Sequence, residues 1–120
     1  MSSGFPTIAP YLTVSRQGTY FVIDLVNKDN RFSLDCIRAW NSALDHIEVV
    51  RSKESGPTAL ITKSAHPKIF SNGLVLEEAF VMGKPYFTAY EKLLARVLVF
   101  PMPTIAVMNG HAFAGGFVSF

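Results

Sequence analysis

Hydrophobic and polar residues alternate along two short stretches near the beginning of the chain. The first is residues 12–16, and the second, residues 20–26, is rich in β-branched and aromatic side chains. Alternation at every second position is typical of a half-buried strand. Residues 17–19 contain a glycine and favour a turn, so the pattern predicts a β-hairpin. Residues 1–11 are small, polar and proline-containing, and they are predicted to form a flexible N-terminal arm.

The apolar spacing then changes to three and four residues, which is typical of a helix that faces a core. This spacing follows Ser33, a favourable N-cap residue, and places Asp35 in the first turn, where a carboxylate suits the helix dipole. Gly56 and Pro57 come next as stop signals. The pattern predicts a long core-facing helix, whose apolar residues are Leu34, Ile37, Trp40, Leu44, Ile47 and Val50.

Further along the chain, short apolar stretches alternate with stretches of helical spacing. Residues 82–85 contain a glycine and a proline and are predicted to separate two helices. Strands that are separated by helices favour an α/β fold with some parallel pairing. Residues 12–120 contain no linker, and we expect them to belong to one domain. The predicted elements are a strand at 58–62, a loop at 63–68, a helix at 76–81, a helix with the apolar residues Phe87, Tyr90, Leu94, Val97 and Leu98, and a strand at 105–108.

Composition excludes several classes of function. The net charge is +2 over 120 residues and the basic residues are scattered, so we expect no nucleic-acid partner. No stretch approaches the roughly 20 apolar residues that span a bilayer, so we expect no membrane span.

The single cysteine, Cys36, excludes an internal disulfide and favours an intracellular protein in a reducing compartment. Because Cys36 lies on the long predicted helix, we interpret it as a small core residue.

The chain ends within an apolar segment. Residues 117–120 are Phe-Val-Ser-Phe, without a cap, a basic last turn or a polar tail. Because complete domains rarely end in this way, we expect that more residues follow in the natural protein.

Two glycine-containing loops are the best candidates for chemistry. One is formed by residues 70–74 after a short predicted strand, and the other by residues 109–116 after the strand at 105–108. Glycine lets bare backbone N–H groups approach a ligand, but it also permits close packing of a helix on a strand. Either interpretation fits one loop alone. If the two loops converge, one N–H group from each forms an oxyanion hole.

These two loops resemble motifs of the crotonase (enoyl-CoA hydratase/isomerase) superfamily. Residues 70–74, Phe-Ser-Asn-Gly-Leu, are similar to its F-S-x-G-A-D loop, and residues 105–116 are similar to its A-x-x-N-G-x-A-x-G-G-G segment. The hairpin, the Ser33 helix and the spacing between the loops fit the same family. The resemblance begins near residue 12 and covers about the first half of a crotonase domain. The residues of the second motif are most similar to those of plant-type peroxisomal Δ3,Δ2-enoyl-CoA isomerases.

The resemblance implies a crotonase-like ββα spiral, truncated after its N-terminal part, that binds an acyl-CoA thioester. The oxyanion-hole donors would be the backbone N–H groups of Leu74 and Gly115. No separate cofactor is implied, since CoA is part of the substrate. Relatives of this kind are trimers or hexamers, and a peroxisomal location is implied, with cytoplasmic or mitochondrial alternatives. Further substrate-binding positions would be Phe70, Ser71, Asn72, Gly73, Gly116 and Lys68.

The chain departs from the family pattern at several positions. The loop's Ala-Asp is Leu74-Val75, and the first glycine of the triplet is Ala114. Hydratases have a catalytic Glu at the position of Val118, which argues against ordinary hydration. Isomerases of the family use one carboxylate, and its position lies beyond residue 120. The resemblance therefore implies an isomerase, with a hydratase, another crotonase-type enzyme or an inactive acyl-CoA-binding module as alternatives.

The other candidate side chains each have a plainer interpretation. Lys63 and Lys68 precede the first loop and are placed either near CoA phosphates or in solvent. Glu77 and Glu78 either approach a ligand or begin a helix. His111 is either a base or a packed loop histidine. No pair of metal-ligating residues has the spacing of a metal site, so we expect no metal.

Overall fold

Seven strands and three helices form the part of the chain that the computed structural model describes, which is residues 7–8, 11–26, 30–65, 69–71, 73–107 and 111–112. In chain order the elements are β1 (Thr7–Ile8), β2 (Leu12–Gln17), β3 (Tyr20–Leu25), α1 (Leu34–Ser52), β4 (Ala59–Ser64), β5 (Ile69–Ser71), α2 (Leu76–Met82), α3 (Lys84–Leu98), β6 (Thr104–Val107) and β7 (His111–Ala112).

The larger sheet has the strand order β1-β2-β3-β4-β6. The pairs β1–β2 and β2–β3 are antiparallel, so the predicted hairpin is confirmed. The pairs β3–β4 and β4–β6 are parallel, and helices connect their strands. This arrangement confirms the predicted α/β fold with partly parallel pairing. In the described part of the chain, β5 and β7 form a second, smaller sheet.

The N-terminal residues differ from the predicted flexible arm. Thr7 pairs with Thr13 and Ile8 pairs with Leu12, and the Tyr11 carbonyl accepts a hydrogen bond from Val26 N at 3.0 Å. Pairing supplies partners for backbone groups of β2 that would otherwise remain at a sheet edge. Residues 1–6 and 9–10 of the predicted arm lie outside the described part of the chain.

Helix α1 packs its apolar stripe on one face of the larger sheet, as the spacing predicts. The Ser33 hydroxyl caps the helix by accepting a hydrogen bond from Cys36 N at 3.0 Å. The stripe is buried together with the inward-facing residues of β2, β3 and β4. Its buried residues are Cys36, Ile37, Ala39, Trp40, Ala43, Leu44 and Ile47.

The cap of α1 leads to a testable prediction. Ser33→Ala is expected to lower the free energy of unfolding by about 1 kcal/mol, because it removes the acceptor for a backbone N–H of the first turn. Urea unfolding measures this change. The control is Ser52→Ala at the other end of α1, where the serine hydroxyl donates to Val49 O at 2.7 Å on the exposed surface. A control cost equal to that of Ser33→Ala would contradict a specific capping role.

Helices α2 and α3 differ in detail from the prediction. Only Gly83, at φ +61°, separates them, and Pro85 lies in the first turn of α3, where the missing N–H costs no helical hydrogen bond. The buried residues of α3 are Tyr86, Tyr90 and Leu93. Phe87 and Leu98, which were predicted in the apolar stripe, are exposed.

A charged contact fixes α3 against α1. The Arg96 guanidinium contacts Asp45 at 2.7 Å, Glu48 at 2.8 Å and Asn41 Oδ1 at 3.0 Å.

In the described part of the chain, no helix combines the length and the apolar character needed to cross a membrane.

Candidate functional site

The smaller sheet brings the two glycine-containing loops together. Strands β5 and β7 are parallel, with Ile69 opposite His111 and Ser71 opposite Ala112. The carboxyl ends of parallel strands lie at the same edge of a sheet, so Ser71 and Ala112 end their strands at one edge. Leu74 lies three residues beyond Ser71, and Gly115 lies three residues beyond Ala112. Gly115 and Gly116 themselves lie outside the described residues.

The backbone of Gly73 determines the direction of the Leu74 N–H. Gly73 is buried and has φ +86°, a conformation that favours glycine. Its carbonyl accepts a hydrogen bond from Phe32 N at 2.8 Å. Because C=O and N–H point in opposite directions across a trans peptide, the Leu74 N–H points away from Phe32. Among the described residues, this N–H has no acceptor, as expected for a ligand-binding donor.

Ser71 holds the first loop from within. Its side chain is fully buried, and its hydroxyl donates to Asn30 O at 2.7 Å and accepts from Gly73 N at 3.2 Å. Asn30 Nδ2 in turn donates to Ser64 Oγ at 2.9 Å, at the end of β4. The Ser71 hydroxyl thus shapes the loop, and substrate contact at Ser71 stays a prediction.

The peptide after Leu74 is held by two side chains that the sequence patterns did not indicate. Arg31 Nη1 donates to Leu74 O at 3.1 Å, and Val75 N donates to the Tyr86 hydroxyl at 3.0 Å. The same hydroxyl donates to Phe32 O. Burial raises the pKa of Tyr86, so its hydroxyl stays protonated at neutral pH. Both side chains lie outside the loop motif and reach it through the fold, Arg31 from 43 residues before Leu74 and Tyr86 from α3, which explains why local motifs gave no signal for them.

Glu78 contacts the beginning of α1. Its Oε1 accepts a hydrogen bond from Leu34 N at 2.9 Å, so this carboxylate caps the positive end of the helix. Glu77 is exposed on α2. The structure thus favours a helix-capping role for Glu78 over the alternative of contact with a ligand.

The remaining candidates fall into two groups. Lys63 Nζ forms an ion pair with Asp24 at 2.8 Å and is therefore not a free lysine of the loop. Lys68, Asn72 and the side chains of Phe70 and His111 lie outside what the structure describes. Within the described ranges, no cluster of three His, Cys, Asp or Glu residues is suited to a metal ion.

Cys36 is buried, and burial raises the pKa of its thiol to about 12. The thiolate is the reactive form, so we expect negligible labelling of the folded chain by a thiol reagent at pH 8. Labelling in urea should be fast, because the unfolded thiol has an ordinary pKa. Equal labelling rates in the two states would contradict the core placement of Cys36.

Comparison with known proteins agrees with this geometry. The profile of the enoyl-CoA hydratase/isomerase family matches residues 16–119. Enoyl-CoA delta isomerase 3 of Arabidopsis thaliana is 36% identical over 112 residues, which cover 87% of the chain and 45% of that protein. Peroxisomal enoyl-CoA delta isomerase 2 of the same plant is 33% identical over 116 residues, which cover 88% of the chain and 47% of that protein. The chain thus spans about half the length of these curated relatives.

Solved structures share the fold. An enoyl-CoA hydratase from Geobacillus kaustophilus superposes with a TM-score of 0.78 at 25% identity, over 91% of the chain and 42% of that structure. An enoyl-CoA hydratase/isomerase family protein from Pseudomonas syringae gives a TM-score of 0.78 at 26% identity, over 92% of the chain and 46% of that structure. The crotonase-like fold that the loop motifs imply is confirmed.

Proposed function

The chain belongs to the enoyl-CoA hydratase/isomerase family, and we propose that it forms the thioester-binding part of an enoyl-CoA isomerase. We use the term parent enzyme for the longer protein that would contain these residues. The observation that supports this proposal most is the parallel pairing of β5 with β7, which places the carboxyl ends of both strands at one edge of the smaller sheet. The oriented Leu74 N–H is one donor, and Gly115 N–H is proposed as the other. The residues proposed to line the substrate are Phe70, Ser71, Asn72, Gly73, Gly116 and Lys68.

The proposed reaction moves a double bond from position 3 to position 2 of an acyl-CoA. A base removes a proton from C2, and the electron pair moves onto the thioester oxygen as an enolate. The proton then returns at C4 and the double bond forms between C2 and C3. Two aligned N–H donors stabilise the developing negative charge more strongly than the neutral carbonyl, which lowers the barrier. No separate cofactor is proposed, because the reaction transfers a proton and has no net oxidation.

Isomerisation is proposed over hydration for two reasons. The two curated relatives are both named enoyl-CoA delta isomerases. In addition, Val118 occupies the position where the family resemblance places a hydratase glutamate. A proton shift needs one carboxylate, whereas hydration needs a pair to activate and deliver water. The single carboxylate is proposed to lie beyond residue 120 of the parent enzyme.

An activity assay with two proteins tests the proposed function. The 120-residue chain and the parent enzyme are each mixed with a 3-enoyl-CoA, and the conjugated 2-enoyl-CoA is followed by absorbance. We expect thioester binding by both proteins and turnover by the parent enzyme alone. A 3-hydroxyacyl-CoA formed from 2-enoyl-CoA would instead identify a hydratase. Binding without any turnover by the parent enzyme would identify an inactive acyl-CoA-binding module.

Location and assembly are proposed from the relatives. A peroxisomal location is proposed because one curated relative is named peroxisomal. A trimer or hexamer is proposed for the parent enzyme on the family resemblance. Light scattering of the purified parent enzyme tests the assembly, and a monomer at working concentration would contradict it.

A further inference from the structure

We propose that Tyr86 is a positioning residue for the thioester site, whose hydroxyl helps to hold the direction of the Leu74 N–H by joining the Val75 amide, in the next peptide, to the Phe32 carbonyl. This inference rests on the proposed function, because the Leu74 N–H is the donor that the thioester would use. Tyr86 lies on α3, outside both glycine-containing loops.

Hydrogen bonds involving Phe32 and Tyr86 hold the peptides on both sides of Leu74. Phe32 N donates to Gly73 O at 2.8 Å, and Phe32 O accepts from the Tyr86 hydroxyl. The same hydroxyl accepts from Val75 N at 3.0 Å. The Phe32 backbone is therefore bonded to the peptide before Leu74 directly and to the peptide after Leu74 through Tyr86. The first of these is the donor peptide itself, which Phe32 N holds directly, and Tyr86 holds the next peptide along the chain, so the two attachments together fix both ends of Leu74.

The Tyr86 side chain lies in the protein interior. Tyr86 has no exposed surface, so its hydroxyl is shielded from bulk water. Without the hydroxyl, the Val75 N–H and the Phe32 carbonyl would each lose a partner in a region where water cannot replace it readily. The peptide after Leu74 is then held less firmly and can rotate. Rotation of this peptide frees one end of Leu74, which lets the direction of the Leu74 N–H change.

The ring and the hydroxyl of Tyr86 make separate contacts. The Tyr86 ring contacts the Phe87 ring edge to face, with centroids 5.5 Å apart, and the removal of one oxygen atom does not change this packing. The hydroxyl instead occupies the gap between the beginning of α1 and the beginning of α2. Arg31, which donates to Leu74 O, acts on the same peptide but lies at the surface. Tyr86 is thus the buried side chain that holds the peptide after Leu74.

The test is Tyr86→Phe, which keeps the ring and removes the hydroxyl. Hydrogen exchange of the Val75 amide in the 120-residue chain is expected to accelerate at least about tenfold, because its acceptor is lost. In the parent enzyme, kcat is expected to fall about tenfold while KM changes less than about threefold, because a misaligned donor weakens mainly transition-state binding. The matched control is Ile47→Val, which removes a methylene group from the buried face of α1 and should leave kcat and Val75 exchange within about twofold of the original values.

A second variant removes the donor of the same hydrogen bond, which lies on the loop. Val75→Pro removes the N–H that Tyr86 accepts while keeping the hydroxyl, and φ at this residue is −89°, near the range of proline. The double variant is expected to lose no more activity than the stronger single variant, since both remove one attachment.

Two results would overturn the inference. One is an unchanged rate of hydrogen exchange at the Val75 amide in Tyr86→Phe. The other is an unchanged kcat in Tyr86→Phe when the parent enzyme without the substitution is active. If the original parent enzyme fails to convert any enoyl-CoA, the proposed function fails separately. Exchange in the 120-residue chain then still decides whether Tyr86 holds the loop, because that measurement needs no ligand.

Discussion

Replacement of Leu74 by proline is expected to lower kcat of the parent enzyme by roughly 10²- to 10³-fold, because proline lacks the N–H that would hold the enolate oxygen. The Leu74 carbonyl, which accepts from Arg31, remains available in this variant. The loss should appear mainly in kcat, since a donor that bonds most strongly to developing charge contributes more to the transition state than to the bound substrate. Steady-state isomerisation of a 3-enoyl-CoA measures the effect.

The control for this prediction is Leu74→Ala. Alanine keeps the N–H and removes a half-buried side chain that packs against the core. We expect kcat within about fivefold of the original enzyme, with a modest loss of stability. Urea unfolding of both variants distinguishes a local loss of the donor from general unfolding. If Leu74→Pro folded and kept its kcat, the backbone assignment would be wrong.

The largest effect on stability is expected for Trp40→Ala. Trp40 lies at the middle of α1 with 1% of its surface exposed, within the core between α1 and the larger sheet. Removal of this ring should lower the free energy of unfolding by about 3–5 kcal/mol. Since a domain is typically stable by only about 5–15 kcal/mol, this variant is expected to be largely unfolded at 37 °C. Circular dichroism during thermal and urea unfolding measures the loss.

Phe80→Ala provides the aromatic control for Trp40→Ala. Phe80 is on α2 and 85% exposed, so its removal should change stability by less than about 0.5 kcal/mol. A similar loss in both variants would contradict the placement of α1 against the sheet. A loss confined to Trp40→Ala would support it.

Elements with strong local signals could be predicted from the sequence. The hairpin followed from alternation and a turn, and α1 followed from its stripe and the Ser33 cap, which the structure shows in place. The smaller sheet could not be predicted in this way. Its strands contain three and two residues, too few to show a period, and their pairing joins positions about 40 residues apart. Strand β1 could not be predicted either, because its two residues are too few to show a period.

The candidate site likewise contains residues that a local motif predicts and residues that only the fold brings to the loop. Gly73 and Leu74 were identified from the loop motif, because glycine at this position has a conformational reason that the structure shows as φ +86°. The direction of the donor depends on Phe32 and Tyr86, which meet the loop through tertiary packing. A tyrosine at a buried helix position is one retrospective signal, since a buried hydroxyl needs a partner. The partner itself could not be named without the fold.

The most direct test of the thioester site is the NMR shift of the Leu74 amide proton. The ¹⁵N-labelled 120-residue chain is titrated first with an acyl-CoA thioester and then with the matching thioether, which has CH₂ in place of the carbonyl. A new hydrogen bond to the carbonyl should move the Leu74 proton downfield with the thioester and leave it nearly unchanged with the thioether. Equal shifts with both ligands, or no shift with a thioester that binds, would contradict the assignment of Leu74 N–H as an oxyanion-hole donor.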